Sequence, residues 1–300
     1  MSGLALTSGG LRLALAPESG GAVAGFWLHE KDACFALMRP LPEAANDALH
    51  AACFPMLPFA NCLRDNSFRF GGQTYSVAPN MPPARLNFHG SGWRMPWRVA
   101  AQSADTALLR LDAEDGVWRY RAEQRFTLTA TALSITLCVT NDAASPMPFS
   151  MGLHPWFPRH GASQVRFRAG GRWRLTPEGE AMGQACLPPE LDFSGPRPVP
   201  RRGLNECYEG WEGEARIDWP AIGLSLVLSA DPVFSRLMLY SPQTAPETFC
   251  LEPQTCPPCG FDGLETDPGA LGAHILAPGD CLSGTITLRL VPYSPENTES

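Results

Sequence analysis

Three side chains lie in surroundings suited to proton transfer, two histidines and one glutamate. His154 falls in Ser150-Met151-Gly152-Leu153-His154-Pro155-Trp156-Phe157-Pro158, where a proline fixes the backbone and two aromatic residues can wall a pocket. His89 falls in Leu86-Asn87-Phe88-His89-Gly90-Ser91-Gly92-Trp93, whose glycines would let a ligand approach the main chain closely. Glu252 falls in Phe249-Cys250-Leu251-Glu252-Pro253-Gln254-Thr255, an acid in an apolar run followed by proline. A carboxylate buried there must be paired, hydrogen-bonded or raised in pKa toward the range in which it acts as a base; the alternative is a strand-edge glutamate facing solvent. A lone histidine beside aromatic residues is more often a packing residue than a catalytic one, and the presence of two narrows that margin.

The elements that must position these residues read as strands. Apolar residues recur at every second position in Leu11, Leu13, Leu15; in Phe68, Phe70; in Leu133, Ile135, Leu137, Val139; in Leu224, Leu226, Leu228; and in Ile286, Leu288, Leu290. That is the period of half-buried strands. Gly20-Gly21, Gly71-Gly72 and Gly170-Gly171 interrupt such runs, and each reads as an antiparallel turn because glycine tolerates positive φ. No window carries a convincing helical stripe; the nearest, 42–54, is short and broken. The 28 glycines and 30 prolines, close to a fifth of 300 residues, also argue against long helices. The reading is all-β: one large, many-stranded antiparallel β-sandwich with few short helices, filling residues 1–293 as a single domain. The Pro- and Gly-rich segment 176–202 reads as a long surface loop, and the polar tail 294–300 as a frayed end.

Composition narrows the partners. With 23 Lys+Arg against 30 Asp+Glu the net charge is −7, so no nucleic-acid footprint is present. No apolar run is long enough to span a membrane, and residues 1–10 show no basic segment ahead of an apolar one, so a cytoplasmic protein without a membrane partner is expected, as monomer or homodimer. The ten cysteines are scattered, mostly in apolar runs, and read as buried thiols. Cys250, Cys256 and Cys259 form a C-x5-C-x2-C cluster, but a structural zinc site wants a second matching pair, so no metal is expected.

Residues 54–72, with Asn61-Cys62-Leu63-Arg64, then Asn87-Phe88-His89-Gly90, then Gly152-Leu153-His154-Pro155-Trp156-Phe157, then Leu251-Glu252-Pro253, resemble in order and spacing the aldose 1-epimerase (galactose mutarotase) family. The resemblance runs from about residue 5 to 290 and implies a many-stranded antiparallel sandwich. It also implies a small-molecule sugar substrate, a free aldohexose whose α and β anomers are interconverted without a cofactor. By it His154 corresponds to the general acid, Glu252 to the general base and His89 to a sugar-binding histidine, with the acid and the base expected on opposite sides of one sugar-sized hollow. Two departures stand out: Cys62 occupies the place of an arginine common in the family, and Asn205 that of an aspartate. Arg64, two residues on, would share the face of Cys62 on a strand and could compensate. Trp156, Phe157, Trp93 and Trp97 could stack on the sugar, Trp156 foremost, while His89, Asn205 and Arg64 hold its rim. Two alternatives remain at this stage. One is an epimerase of a phosphorylated hexose, with Arg85, Arg94 and Arg98 supplying charge; the other is a sugar-binding sensor that has lost its rate.

Overall fold

Alternation becomes strand in each of the runs named above. The computed structural model describes residues 4–45, 47–201 and 203–295. In the strand Ala132–Asn141, Leu133, Ile135, Leu137 and Val139 are buried while the residues between them are half-exposed. Its neighbour Cys281–Pro292 lies opposite it, and the outward hydroxyls of Thr136 and Thr285 meet at 2.9 Å and those of Ser134 and Thr287 at 3.0 Å. Such cross-strand pairs fix register, because a slip of one residue would turn the leucines to water.

These two strands sit within a nine-stranded antiparallel sheet. Its order is Arg98–Gln102, Thr106–Glu114, Arg119–Leu128, Ala132–Asn141, Cys281–Pro292, Leu224–Ala230, Glu214–Trp219, Gln164–Phe167, Arg197–Pro198. An eight-stranded sheet follows the order Ala181–Ala185, Gly171–Leu175, Leu204–Glu209, Arg236–Ser241, Thr248–Gln254, Gly152–Leu153, Pro55–Met56, with Trp156–Pro158 pairing on Thr248–Gln254. Leu133, Ile135, Leu228 and Ile286 of the first sheet and Leu237, Leu239, Phe249 and Leu251 of the second belong to one apolar cluster, so the main core lies between the sheets. A four-stranded sheet from Leu4–Ser8 to Ala33–Met38 adds Leu6, Leu13 and Phe26 to it. Among the described residues the helical elements are 3-10 turns of three or four residues, which matches the all-β expectation; one of them, Ala48–His50, occupies the broken stripe at 42–54.

Two local readings need correction. Gly71 and Gly72, at φ +59° and +75°, do close a hairpin between Ser67–Phe70 and Gln73–Ser76. Gly170-Gly171 does not: it carries the chain from Gln164–Phe167 in the nine-stranded sheet to Gly171–Leu175 in the eight-stranded one. A glycine pair marks backbone freedom and leaves the next partner open. The segment 176–202 is also more than a loop, since it holds the strand Ala181–Ala185, a 3-10 turn Pro189–Leu191 and the core residues Phe193 and Val199. The tail assigned to 294–300 lies, from 296 onward, outside the described residues.

Candidate active site

Glu252 sits in a central strand rather than at an edge. Thr248–Gln254 is flanked by Arg236–Ser241 on one side and by Gly152–Leu153 and Trp156–Pro158 on the other. Phe249 and Leu251 face the main core, so alternation puts Cys250, Glu252 and Gln254 on the opposite face. On the neighbouring segment Gly152 pairs with Gln254 and Trp156 with Cys250, which leaves His154, between them, opposite Glu252. The backbone amide of His154 donates to the Phe54 carbonyl (3.0 Å) and that of Trp156 to the Ala52 carbonyl (2.8 Å), tying this segment down. The result is a contact of 3.3 Å between His154 Nε2 and Glu252 Oε1, with the two residues 6% and 3% exposed.

His154 and Glu252 are therefore neighbours, and the expectation that they stand on opposite sides of a hollow is corrected. Their adjacency suits chemistry at an anomeric carbon better. The hydroxyl and the ring oxygen of a sugar are both bonded to C1, so two groups this close together can reach both.

The imidazole of His154 is held in a stack. Phe54 lies 4.5 Å away on one side (27° between planes) and Trp156 at 5.4 Å on the other (19°), with the Arg39 guanidinium 3.9 Å from the Trp156 ring. Arg39 is fixed by donating to the carbonyls of Leu49 (2.8 Å) and Ala51 (2.9 Å). His89 meets His154 edge-on at 5.3 Å. It is held at φ +61°, with its amide donating to Asn61 O at 2.6 Å. Gly90 is needed for chain packing rather than for ligand approach: a Cβ there would stand 2.1 Å from the Leu57 carbonyl oxygen.

Burial sets the charge of this cluster. It raises the Glu252 carboxyl to about 8 and lowers the His89 imidazole to about 3. His154 is pushed well below its ordinary range by burial first, then by His89 and Arg39. Near neutral pH the His154–Glu252 pair thus holds one proton and no net charge. His89 Nδ1, His154 Nδ1 and Trp156 Nε1 are buried without a hydrogen-bond partner among the described residues. Such atoms are uncommon in folded proteins and suit the hydroxyls of a ligand.

The other predicted site residues divide. Trp156 is in the site. Phe157 and Trp97 are in the main core, and Trp93 packs behind Phe54 at 5.7 Å. Asn205 is exposed, pairs with Tyr240 in register and so shares the face of Cys250, placing it at the site's outer edge. Arg64 is not on a strand: Cys62–Leu63 ends before it, and a 3-10 turn begins there. Its guanidinium is engaged by Glu180 (2.6 Å) and Asp262 (3.0 Å), so the compensation expected from strand parity does not follow. Cys62 is buried with its Sγ 3.2 Å from that of Cys259 and offers a sugar no charge. Cys250, Cys256 and Cys259 separate: Cys259 goes to Cys62, Cys256 to the main core, Cys250 to the face of Glu252. Gln254 and Asn61, joined by a 3.4 Å amide contact, are site residues the sequence reading missed. Gln254 was findable, since it lies two positions from Glu252 on the same strand face.

Residues 4–288 match the family model of aldose 1-epimerase. The chain belongs to the aldose 1-epimerase family. It is 35% identical over 293 aligned positions, covering 95% of this chain and 97% of the other, to the Escherichia coli K12 protein YphB, described as uncharacterized. Among solved structures, a candidate aldose 1-epimerase from Escherichia coli K12 superposes with a TM-score of 0.89 at 32% identity, covering 97% of this chain and 99% of that one. A galactose mutarotase-like protein from Clostridium acetobutylicum superposes at 0.83 with 18% identity, covering 96% and 95% of the two chains, and shows the fold alone. The aldose 1-epimerase sandwich is thus the frame on which His89, His154 and Glu252 are brought together.

Proposed function

We propose that this protein interconverts the α and β anomers of a free aldose by opening and closing the sugar ring. The observation that carries the proposal is the buried contact of His154 Nε2 with Glu252 Oε1 at 3.3 Å. Ring opening starts from the tautomer in which the shared proton has moved from the Glu252 carboxyl to His154: the carboxylate takes the proton of the C1 hydroxyl while the imidazolium gives its proton to the ring oxygen, and the C1–O5 bond breaks to leave the aldehyde. The pair then stands as carboxylic acid and neutral imidazole. Rotation about C1–C2 presents the other face of the carbonyl. In closure O5 attacks C1, its proton returns to His154, and the Glu252 carboxyl proton goes to the carbonyl oxygen. The two tautomers of one singly protonated pair serve the two halves of the reaction, so no net charge is created in a buried site.

His89, Asn205 and Trp156 are assigned to the sugar, by hydrogen bonds and by stacking on its C–H face. A free sugar is favoured over a sugar phosphate because the arginines do not converge. Arg85 is spent on Asp65, Arg98 lies 3.6 Å from Asp112, and Arg94 lies over Trp93. At the outer edge the Arg64 guanidinium is offset by Glu180 and Asp262.

The test is polarimetry of freshly dissolved α-glucose and α-galactose. The wild type should speed equilibration, and His154→Gln and Glu252→Gln should each lose about 100-fold or more. An inert wild type that still binds these sugars would replace the proposal with a sensor, and activity confined to a sugar phosphate would replace the substrate.

A further inference from the structure

Cys250 stands beside the acid–base pair, and the mechanism above has no part for a thiol. Alternation along Thr248–Gln254 places it on the same face as Glu252, and His154 reaches both from the adjoining segment. The imidazole nitrogen of His154, the Cys250 Sγ and a Glu252 carboxylate oxygen lie within 4.8 Å of one another, and all three residues are buried. Among the described residues this is the one group of three or more His, Cys, Asp or Glu side chains that converges so closely.

The spacing fits a tetrahedral dication. With bonds of about 2.0 Å to nitrogen and oxygen and about 2.3 Å to sulfur, donor atoms at tetrahedral corners lie roughly 3.3 to 3.6 Å apart. The nitrogen and oxygen are already 3.3 Å apart. The sulfur needs to move by no more than about 1.4 Å to complete the face. A donor set of thiolate, imidazole and carboxylate favours Zn2+ and similar ions over Mg2+ or Ca2+, and three protein ligands leave a fourth position open.

We propose that His154, Cys250 and Glu252 form a site for a zinc-class divalent cation whose binding captures both members of the acid–base pair and inhibits the enzyme. The inhibition rests on the function proposed above; the binding does not. Binding is a ligand exchange without redox change: the metal–nitrogen, metal–sulfur and metal–oxygen bonds form as the thiol proton and the proton of the pair leave to solvent.

The test titrates Co2+ into the full chain and reads sulfur-to-cobalt charge-transfer absorption. One equivalent should bind with that band. Cys250→Ser should lose the band and weaken binding by more than about tenfold, because losing a ligand costs at least as much as losing the group that orients one. Cys256→Ser, at a buried cysteine of the main core, should keep both. Zn2+ should abolish mutarotation by the wild type at concentrations that leave Cys250→Ser active. If Cys250→Ser does not fold, X-ray absorption of the zinc-loaded wild type decides, with one sulfur and two lighter ligands expected from the protein. A wild type that binds no equivalent, a first shell without sulfur, or a band unchanged in Cys250→Ser overturns the site. Mutarotation measured without metal is independent of these readings: cobalt binding through Cys250 in an inert protein removes only the proposed function, and activity without metal binding removes only this site.

Discussion

Replacing Glu252 by glutamine should stabilise the protein, by an amount that grows with pH. The carboxyl is 3% exposed, and burial raises it from its usual 4.5 to about 8. Between those values the folded chain holds a proton that the unfolded chain has released, so stability falls as pH rises through the window. At about 1.4 kcal/mol per unit, the penalty is about 3 kcal/mol at pH 7 and about 5 kcal/mol above pH 8. Solvent screening takes little from this figure because the group is almost wholly buried. Glutamine keeps the shape, cannot ionise, and can donate to His154 Nε2 as the protonated carboxyl does, so the penalty vanishes. For a 300-residue chain unfolding with about 2.1 cal/mol/K per residue, 3 kcal/mol corresponds to roughly 5 °C in Tm. Thermal melts of both proteins at pH 5, 7 and 9 check this: the gap should be small at pH 5, roughly 5 °C at pH 7 and larger at pH 9, while mutarotation is lost throughout. A gap that does not change with pH, or a glutamine variant that melts lower at pH 9, would refute the reasoning.

Three further outcomes follow from the geometry. Because the active pair carries one proton, kcat/KM should be level between the His154 transition, well below 6.5, and the Glu252 transition near 8, then fall about tenfold per unit above it; a rate rising through pH 8 would show Glu252 working alone as a base. Gly90→Ala should cost more than about 3 kcal/mol and displace His89, since φ is +70° and the new Cβ would meet the Leu57 carbonyl; a melt within 1 °C of wild type would contradict this packing. Arg64→Ala should lose less than about 1 kcal/mol and leave KM within about threefold, because its half-buried guanidinium serves Glu180 and Asp262; a tenfold rise in KM would return it to the sugar site.

Local signals in the sequence succeeded where they report a local property. The alternation of Leu133, Ile135, Leu137 and Val139 had one stable outcome, a strand with one buried face. Gly71-Gly72 and Gly170-Gly171 carry the same signal and end differently, one in a hairpin and one in a passage between sheets, because tolerance of positive φ does not name a partner strand. Trp93, Trp97, Phe157 and Trp156 were all candidate stacking residues, Trp156 foremost. Strand register sent Phe157 to the main core and Trp156 onto His154, while the 3-10 turn and loop around 92–97 put Trp93 behind Phe54 and Trp97 in the main core.

The sequence by itself determined the all-β character, the single repeating strand period and the residue types able to move protons, since these depend on dihedral preference and side-chain chemistry within a few positions. The tertiary structure alone decided that Glu252 is central and buried rather than at an edge, that it touches His154, that Arg64 turns to two carboxylates, and that Cys250 joins the pair. Those outcomes depend on which strands pair and in what register. Pairing is settled by the packing of a core shared by distant segments, and the low dielectric that this packing creates is also what sets the proton affinities of the site.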